Sequence, residues 1–338
     1  MAFARAGRDD DAPARAGRDD DAPAFIALIE RCWSDYPGCI LDIDAEAPEL
    51  LALASYYAAQ GGALWIAGDG DGMVATKPLG DGIWEICRVY VHPDAHGTGL
   101  GPALLQIAER HAISAGATEL ALWTDTRFTR AHRFYEKHAY VHDGALRALH
   151  DVAASIEYRY AKPVHGVRHL DVAAAQSAER RLAEILVACV DAGASVSFFA
   201  PLAPEHALAF WQRVTTAVGE GRTMLFAAWS DAALAGTIQV LLHEAELGRH
   251  RAEIAKFLVH PDFRGRGLGD DLLDAAERAA AAAGRTLLLL DTKPGDDAER
   301  LYRRRGWQEV GRIPGYTQDA AGRPEGTVIF VKHVGQSG

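Results

Sequence analysis

The sequence predicts an α/β protein of the α+β type, built as two domains in tandem. The chain has 338 residues, and a globular domain commonly holds about 150. A segment at 84–101 returns at 252–269 with a Glu, a Pro and three Gly residues at the same places. Around both segments, hydrophobic residues follow strand and helix spacing in the same order. We therefore expect two copies of one fold.

Composition and the repeat together give the domain boundaries. Residues 1–20 are predicted to form a flexible tail, because a Gly-, Asp- and Arg-rich decapeptide at 4–13 recurs at 14–23 and is too polar to be buried. The domains then span 21–163 and 164–338, and they are separated where a Pro-Val-His-Gly segment follows the last predicted strand of the first copy.

Each domain is predicted to open with helices and an antiparallel hairpin. The first helix starts near residue 22, where an Asp and a Pro precede apolar residues at helical spacing. Segments 64–76 and 225–240 carry turn residues between two strand-like arms, which is typical of hairpins.

A long strand follows in each domain and ends at a His-Pro pair. Residues 85, 87, 89 and 91 alternate with residues 86, 88 and 90 in a strand pattern, and 253–259 repeats this spacing. Strict alternation would place Glu85 on the strand face of Val91, and Glu253 on that of Val259. We expect the next elements in each domain to be a helix, a buried strand (118–124 and 286–292), a second helix (129–138 and 296–305) and a terminal strand.

A Gly-x-Gly-x-Gly loop joins the long strand to the next helix in both domains. Backbone N–H groups in such a loop, at the positive end of a helix, suit a phosphate or pyrophosphate, and glycines leave these groups accessible. The spacing is neither the Rossmann fingerprint nor a Walker A loop. Because it occurs twice in one context, we interpret it as an anion-binding loop and not as an incidental tight turn.

The composition is that of a globular protein, with 49% hydrophobic and 24% charged residues. A formal net charge of −11 opposes binding to nucleic acid or to an anionic membrane. The four cysteines have no Cys-x-x-Cys spacing, so we predict neither a disulfide framework nor a metal site. With no run of ~18 apolar residues and no signal-peptide pattern, we expect a cytoplasmic protein.

Segments 91–101 and 259–269 resemble the acyl-CoA-binding signature of the GNAT superfamily of N-acyltransferases. That signature is a Gln or Arg, two residues, a Gly, one residue, then a Gly or Ala. Arg264, Gly267 and Gly269 fit it fully, whereas His96 replaces the Gln or Arg in the first copy. The resemblance covers nearly the whole chain. It implies a mixed, mostly antiparallel sheet that splays between its fourth and fifth strands, with acetyl-CoA (coenzyme A) as the cofactor.

The resemblance also implies which residues hold the cofactor, with the pantetheine arm along the fourth strand and the pyrophosphate in the loop. In the first domain these are Val89, Tyr90, Val91, His96, Gly97, Thr98, Gly99, Leu100 and Gly101. In the second domain they are Phe257, Leu258, Val259, Arg264, Gly265, Arg266, Gly267, Leu268, Gly269 and Thr292. For Thr292, capping of the strand end is an equal alternative.

Acyl transfer from a thioester to an amine needs a base for the amine and a proton for the departing sulfur. Tyr302 and Tyr135 resemble the GNAT tyrosine that protonates this sulfur, and a phenol with a pKa of ~10 is protonated at pH 7. Glu253 and Glu85 resemble, in position, the glutamate that several members use as general base. The alternatives are core tyrosines and strand-end glutamates that face solvent.

The two domains are not expected to be equivalent. The formal charge is −9 over 1–164 and −2 over 165–338. The second loop contains Arg264 and Arg266, and arginines also occur over 300–305, either near the cofactor or on a solvated helix face. The second domain is therefore the better candidate coenzyme site. The first is either a differently tuned site or a decayed partner in an intramolecular pseudo-dimer, with a homodimer as a further option.

The leading hypothesis is an acetyl-CoA-dependent N-acetyltransferase that acts on the amine of a small molecule by direct transfer in a ternary complex. The alternative is a protein that binds or senses acyl-CoA without turnover. Candidate acceptor segments are 197–202, Trp211 and 315–319 in the second domain, and 32–36, 56–57 and 149–151 in the first.

Overall fold

The computed structural model of the protein describes residues 14–319 and 321–335. The helices, in chain order, are α1 (Ala22–Trp33), α2 (Ile43–Glu46), α3 (Leu53–Ala59), α4 (Leu100–Ser114), α5 (Thr129–Lys137), α6 (Val172–Asp191), α7 (Pro204–Gly219), α8 (Leu268–Ala282) and α9 (Asp297–Arg304). The strands are β1 (Arg15–Ala16), β2 (Ala63–Ala67), β3 (Gly72–Gly80), β4 (Ile83–Val91), β5 (Glu119–Asp125), β6 (Val141–Ala148), β7 (Ile156–Pro163), β8 (Gly166–Leu170), β9 (Thr223–Ser230), β10 (Ala233–Leu242), β11 (Arg251–Val259), β12 (Leu287–Thr292), β13 (Gln308–Gln318) and β14 (Pro324–His333). The predicted hairpins, long strands, loop helices and buried strands are all present.

The strands form two seven-stranded sheets. One has the order β1-β2-β3-β4-β5-β7-β6, and the other has the order β13-β14-β12-β11-β10-β9-β8. The β4–β5 and β11–β12 pairs are parallel, whereas the hairpins and the terminal strands pair antiparallel. The prediction of two tandem α+β domains with mixed, mostly antiparallel sheets is confirmed.

The described residues divide into two compact units. The first unit holds the residues up to His132 together with Ala145–Lys162, and the second unit holds Arg133–Gly144 and the residues from Pro163 onward. Within the second unit, the indole Nε1 of Trp229 donates to the carbonyl of Ala139 at 3.1 Å, so the 133–144 segment is tied to the core of that unit.

Helices cover both faces of the second sheet. On one face, α6 and α7 pack with Leu225, Trp229 and Leu258. On the other face, α8 and α9 pack with Ala252, Ile254 and Phe330. We call these the α6–α7 face and the α8–α9 face. In the first unit, α1 and α3 cover one face together with Ile66, Met73 and Ala75.

The predicted flexible tail is wrong for residues 14–20. Arg15 and Ala16 pair with Ile66 and Trp65 as a short edge strand, and Arg15 forms an ion pair with Asp21 at 2.7 Å. These contacts order a polar segment because an existing strand edge satisfies its backbone groups. The first copy of the decapeptide, at 4–13, lies outside the described residues.

Candidate functional site

The glycine loop of the second unit forms an open cradle at the start of α8. Gly265 and Gly267 have φ angles of +76° and +83°, a left-handed conformation that glycine adopts without strain. Among the described residues, no heavy atom lies within 4 Å of the position that a Cβ would take at either glycine. The first N–H groups of a helix have no intrahelical acceptor and lie at its positive end. This loop can therefore hold an anion, and a side chain at either glycine would occupy part of that space.

The two loop arginines have different partners. Arg264 donates from Nε to the carbonyl of Val259 at 3.3 Å and has no ion pair within the described residues. Arg266 is paired with Asp231 at 2.6 Å and lies over the ring of Phe263. Arg264 is thus the loop cation that is free to meet a phosphate.

The arginines between residues 300 and 305 all form ion pairs with carboxylates of the protein. Each of their side chains meets a carboxylate of α8, α9 or β13: Arg300 with Asp297, Arg303 with Glu299 and Glu309, Arg304 with Asp270, and Arg305 with Asp274 and Asp270. Within the described structure, the charge of these arginines is therefore matched internally.

The last two predicted loop residues contribute to packing. A Cβ on Gly269 would lie 3.1 Å from the ring of Phe257, so glycine lets the helix approach the long strand closely. Leu268 is buried in the core of the α8–α9 face. Both residues fix the cradle to β11.

Strand β11 separates from β12 just after Glu253. The two strands pair only from Arg251–Leu287 to Glu253–Leu289, and the first unit repeats this geometry, with Glu85 as the last paired residue of β4. Beyond these points lie the predicted pantetheine-binding stretches, Phe257–Val259 and Val89–Val91. The splay that the family resemblance implies is present in both units.

A β-bulge interrupts the long strand in each unit. Lys256 and Arg88 have φ angles of +46° and +53°, and the register against the neighbouring strand slips by one residue at these points. An extra residue reverses the side-chain alternation beyond it.

The bulge overturns one prediction about strand faces. Ala252 and Ile254 pack in the core of the α8–α9 face, whereas Leu258, beyond the bulge, packs on the α6–α7 face. Glu253 therefore lies on the α6–α7 face and Val259 on the opposite one. The same slip in β4 separates the faces of Glu85 and Val91.

Glu253 lies beside a second carboxylate and a lysine at the mouth of the split. Desolvation, and after it the negative charge of Asp291, raise the pKa of Glu253, whereas Lys256 acts in the opposite direction. The Glu253 side chain is itself exposed. A carboxyl with a raised pKa is a stronger base, as proton removal from an amine requires.

Tyr302 is 4% exposed and packs between Phe257 and Phe330, each at a ring-centroid distance of 6.0 Å. Burial, followed by the charges of Asp296 and Asp291, raises the pKa of Tyr302 above its usual range. The phenol therefore keeps its proton at neutral pH. Asp291 contributes to the raised pKa of both Glu253 and Tyr302, although Glu253 lies on the α6–α7 face and Tyr302 packs in the core of the α8–α9 face.

The hydroxyl of Thr292 is engaged at the start of α9. It donates to Asp296 Oδ2 at 3.1 Å, and Asp296 is the residue that caps this helix. Of the two roles that the sequence left open for Thr292, this contact corresponds to capping at the end of the strand.

The loop of the first unit has the same backbone but a different charge. Gly97 and Gly99 are left-handed and, in the described part of the chain, have open space at their Cβ positions. His96 Nε2 lies 3.1 Å from the carbonyl of Val91, and Arg264 Nε lies 3.3 Å from that of Val259. Desolvation lowers the pKa of His96, so the imidazole is neutral at pH 7. A cleft of about 600 Å³ at this loop is lined by Asp71, Asp94, Ala95, Thr98, Gly99, Leu100 and Ala103.

The catalytic candidates of the first unit are less free than those of the second. Glu85 is paired with Lys77 at 3.6 Å. Trp123, at the repeat position of Asp291, is covered by the guanidinium of Arg147 at 4.5 Å. Tyr135 is buried on α5 and contacts Tyr140, in a segment that belongs to the second compact unit.

Two polar residues on the α6–α7 face, Lys256 and Gln239, were missed by sequence reasoning, whereas Trp211 was a candidate acceptor residue. Lys256, Gln239 and the indole nitrogen of Trp211 lie on this side, and the buried Gln239 Nε2 and Trp211 Nε1 atoms have no hydrogen-bond partner within the described protein. The repeat contained one signal, since Lys256 aligns with Arg88. A basic residue at the same place in both copies of a strand could have marked the bulge.

Comparison with known proteins identifies one family. The model of the acetyltransferase (GNAT) family matches residues 23–140 and again residues 191–307.

The helices in residues 14–319 and 321–335 are all too short or too polar to cross a bilayer. The same residues contain no group of three or more His, Cys, Asp or Glu side chains suited to a metal ion.

Solved structures match one half of the chain at a time. A putative acetyltransferase, yncA, from Salmonella typhimurium, determined with acetyl-CoA, is 17% identical over 52% of this chain and 96% of its own, with a TM-score of 0.42. A ribosomal-protein-alanine N-acetyltransferase from Brucella melitensis is 20% identical over 50% and 99%, with a TM-score of 0.42. A phosphinothricin acetyltransferase from Sinorhizobium meliloti, in complex with AcCoA, is 19% identical over 51% and 89%, with a TM-score of 0.42.

Proposed function

Since the chain belongs to the acetyltransferase (GNAT) family, we propose that it transfers the acetyl group of acetyl-CoA to the amine of a small molecule, with the second unit as the catalytic one. The observation that carries this proposal is the position of Glu253. It is the last paired residue before the strands split and has no ion-pair partner within 4 Å in the described residues, whereas its counterpart Glu85 is paired with Lys77.

The residues present fit the cofactor. The open space at Gly265 and Gly267 would hold the pyrophosphate, with Arg264 as the neighbouring cation. The backbone of Phe257–Val259, beyond the split, would hold the pantetheine arm. Acetyl-CoA supplies an activated acetyl thioester.

Glu253 and Tyr302 would then share the proton transfers. The acceptor's nitrogen forms the new C–N bond as the thioester C–S bond breaks. The amine proton passes to Glu253, whose raised pKa favours this role, and the leaving sulfur takes a proton from Tyr302. Solvent returns the proton from Glu253 to Tyr302, so the net products are an amide and a free thiol.

We propose that the first unit contributes little turnover. Its Glu85 is paired with Lys77, and Asp71, where the second unit has Ala235, lines the cleft at its loop and opposes a pyrophosphate. The four cysteines are all unpaired thiols in the structure, which supports the proposed cytoplasmic location.

Replacement of Tyr302 by Phe tests the assignment. We expect kcat to fall on the order of 100-fold while the acetyl-CoA Kd changes little, because the hydroxyl acts on the leaving sulfur. Tyr135→Phe is the matched control and should leave kcat unchanged. Full kcat in Tyr302→Phe would contradict the role of this residue. Tight acetyl-CoA binding with no transfer across a broad amine panel would favour the sensing alternative.

A further inference from the structure

Lys256 is a cation of the proposed catalytic unit whose contacts, within the described residues, are with aromatic rings. Its Nζ lies 5.5 Å from the ring centroid of Phe210 and 5.9 Å from that of Phe198. Within the described residues it makes no hydrogen bond and no ion pair within 4 Å. Its counterpart Arg88 is held by Glu49 at 2.7 Å. The first unit thus supplies its own carboxylate at this place, and the second unit does not.

Gln239 adds an unsatisfied donor on the same face. It lies opposite Ala255 in the β10–β11 register, and its strand neighbours Ile238 and Val240 pack on the α8–α9 face. The side chain therefore lies on the α6–α7 face, as Glu253 does. It is 3% exposed, and its Nε2 has no partner within the described protein. Burial of an unpaired donor is unfavourable unless a ligand supplies the acceptor. The counterpart in the first unit is Ala75, which has no polar side-chain atom.

Two carboxylates, Glu253 and Asp291, lie near these donors, and their charges act on Lys256. Glu253 ends the paired part of β11, and Asp291 follows the split on β12, where it accepts a hydrogen bond from Thr327 Oγ1 at 2.8 Å. Two donors, Lys256 and Gln239, thus lie next to two acceptors. A molecule that has both a carboxylate and an amine a few bonds apart would satisfy all four groups.

We propose that the acceptor of the second unit is a small α-amino-acid-like zwitterion. Its carboxylate binds Lys256 and Gln239, and its amine lies between Glu253 and Asp291, where Glu253 takes the proton. This inference rests on the proposed function, and it specifies the substrate class of that same site.

Matched acceptors test the proposal. An α-amino acid, its amide and its decarboxylated amine are compared as substrates of the full-length protein with acetyl-CoA. We expect kcat/KM for the amino acid to exceed that for the amine by roughly 10- to 100-fold, the range for a hydrogen-bonded charge pair, with the difference mainly in KM. Equal values for the three acceptors would overturn the proposal while leaving acetyl transfer to amines in place. No transfer to any acceptor would overturn the proposed function itself.

Two independent variants keep the test sound if one of them fails to fold. In Lys256→Met and in Gln239→Leu, the ratio of kcat/KM for the amino acid over the amine should fall towards one, and Lys256→Arg should retain most of the preference. Lys137→Met removes an exposed charge elsewhere and should leave the ratio unchanged. An undiminished ratio in folded Lys256→Met and Gln239→Leu would show that solvent alone satisfies these donors, and it would overturn the proposal.

Discussion

The two units share the same strand, bulge and glycine loop, but they differ in the ion pairs of the charged side chains at the split. In the first unit, each charged group of the split is paired within the protein, Arg88 with Glu49 and Glu85 with Lys77. In the second unit, neither Lys256 nor Glu253 has an ion-pair partner within 4 Å in the described residues. An internally neutralised site has less to gain from a ligand, because binding would first have to break existing pairs. The comparison teaches that two copies of one backbone arrangement can differ in whether their charged groups are paired within the protein.

The loops differ in the same sense. The backbone N–H of His92 donates to the carbonyl of Asp71, and that of His260 donates to the carbonyl of Ala235. Asp71 and Ala235 therefore occupy equivalent places in the two units. The cleft at the first loop thus has Asp71 where the second unit has Ala235, and the first loop has Thr98 where the second has Arg266. A phosphate would meet a more favourable field in the second loop.

The largest expected effect concerns the cradle. Gly267→Glu should weaken acetyl-CoA binding by about 1,000-fold or more, equal to about 4 kcal/mol. The new side chain takes the open space and places a negative charge at the helix N-terminus. Gly99→Glu should have little effect, because the first loop is expected to bind weakly. Calorimetric titration of both variants gives the affinity and the stoichiometry.

Gly284→Glu controls for backbone strain. Gly284 is also left-handed, with a φ of +74° and open space around its Cβ position in the described structure, but it follows the C-terminal end of α8. If the wild-type protein binds two equivalents and Gly99→Glu removes one of them, the expected inequality of the two units is wrong.

The next effect is on pH dependence. The raised pKa of Glu253 means that the base is lost as the pH falls through that value, so kcat/KM should decline on the acidic side at a higher pH than for an ordinary glutamate. Glu253→Gln should lower kcat/KM by roughly 100-fold at neutral pH and abolish this acidic limb. Glu85→Gln serves as the matched variant of the first unit. A profile that keeps the acidic limb in Glu253→Gln would assign the base to another group.

The smallest effect is on stability. Glu49→Gln removes the charged partner of half-buried Arg88 and should lower the free energy of unfolding by about 1–2 kcal/mol. Lys256→Met breaks no ion pair and should be neutral or slightly stabilising. Urea denaturation midpoints measure both changes, with the exposed Glu246→Gln as a control. Equal losses in the two variants would show that Lys256 has a protein partner in solution.

The elements of the fold follow closely from the sequence, because hydrophobic periodicity and glycine spacing act over a few residues. The helices after both glycine loops begin at Leu100 and Leu268, as the loop glycines indicate. The bulges could not be predicted in this way. Lys256 and Arg88 are not residues that favour a left-handed conformation, so periodicity gives no position for the extra residue, and the basic residue shared by both copies is the one signal of it.

The segment at 14–20 shows the same limit. Its composition is that of a tail, yet Arg15–Ala16 joins a sheet because the edge of β2 is available to it. Composition describes what a segment can bury, whereas its order depends on which strand edge it meets.

The sequence by itself determined that this protein has two copies of one acetyltransferase fold, each with a loop built to leave backbone N–H groups accessible. Only the tertiary structure decided which charged groups meet partners within the protein. The partner of Arg88 is 39 residues distant along the chain, and the gap beside Lys256 depends on strands and helices that the chain brings together from far apart. Local patterns fix elements because the forces that form them act between near neighbours, whereas the pairing of charges depends on distances that only the folded chain sets.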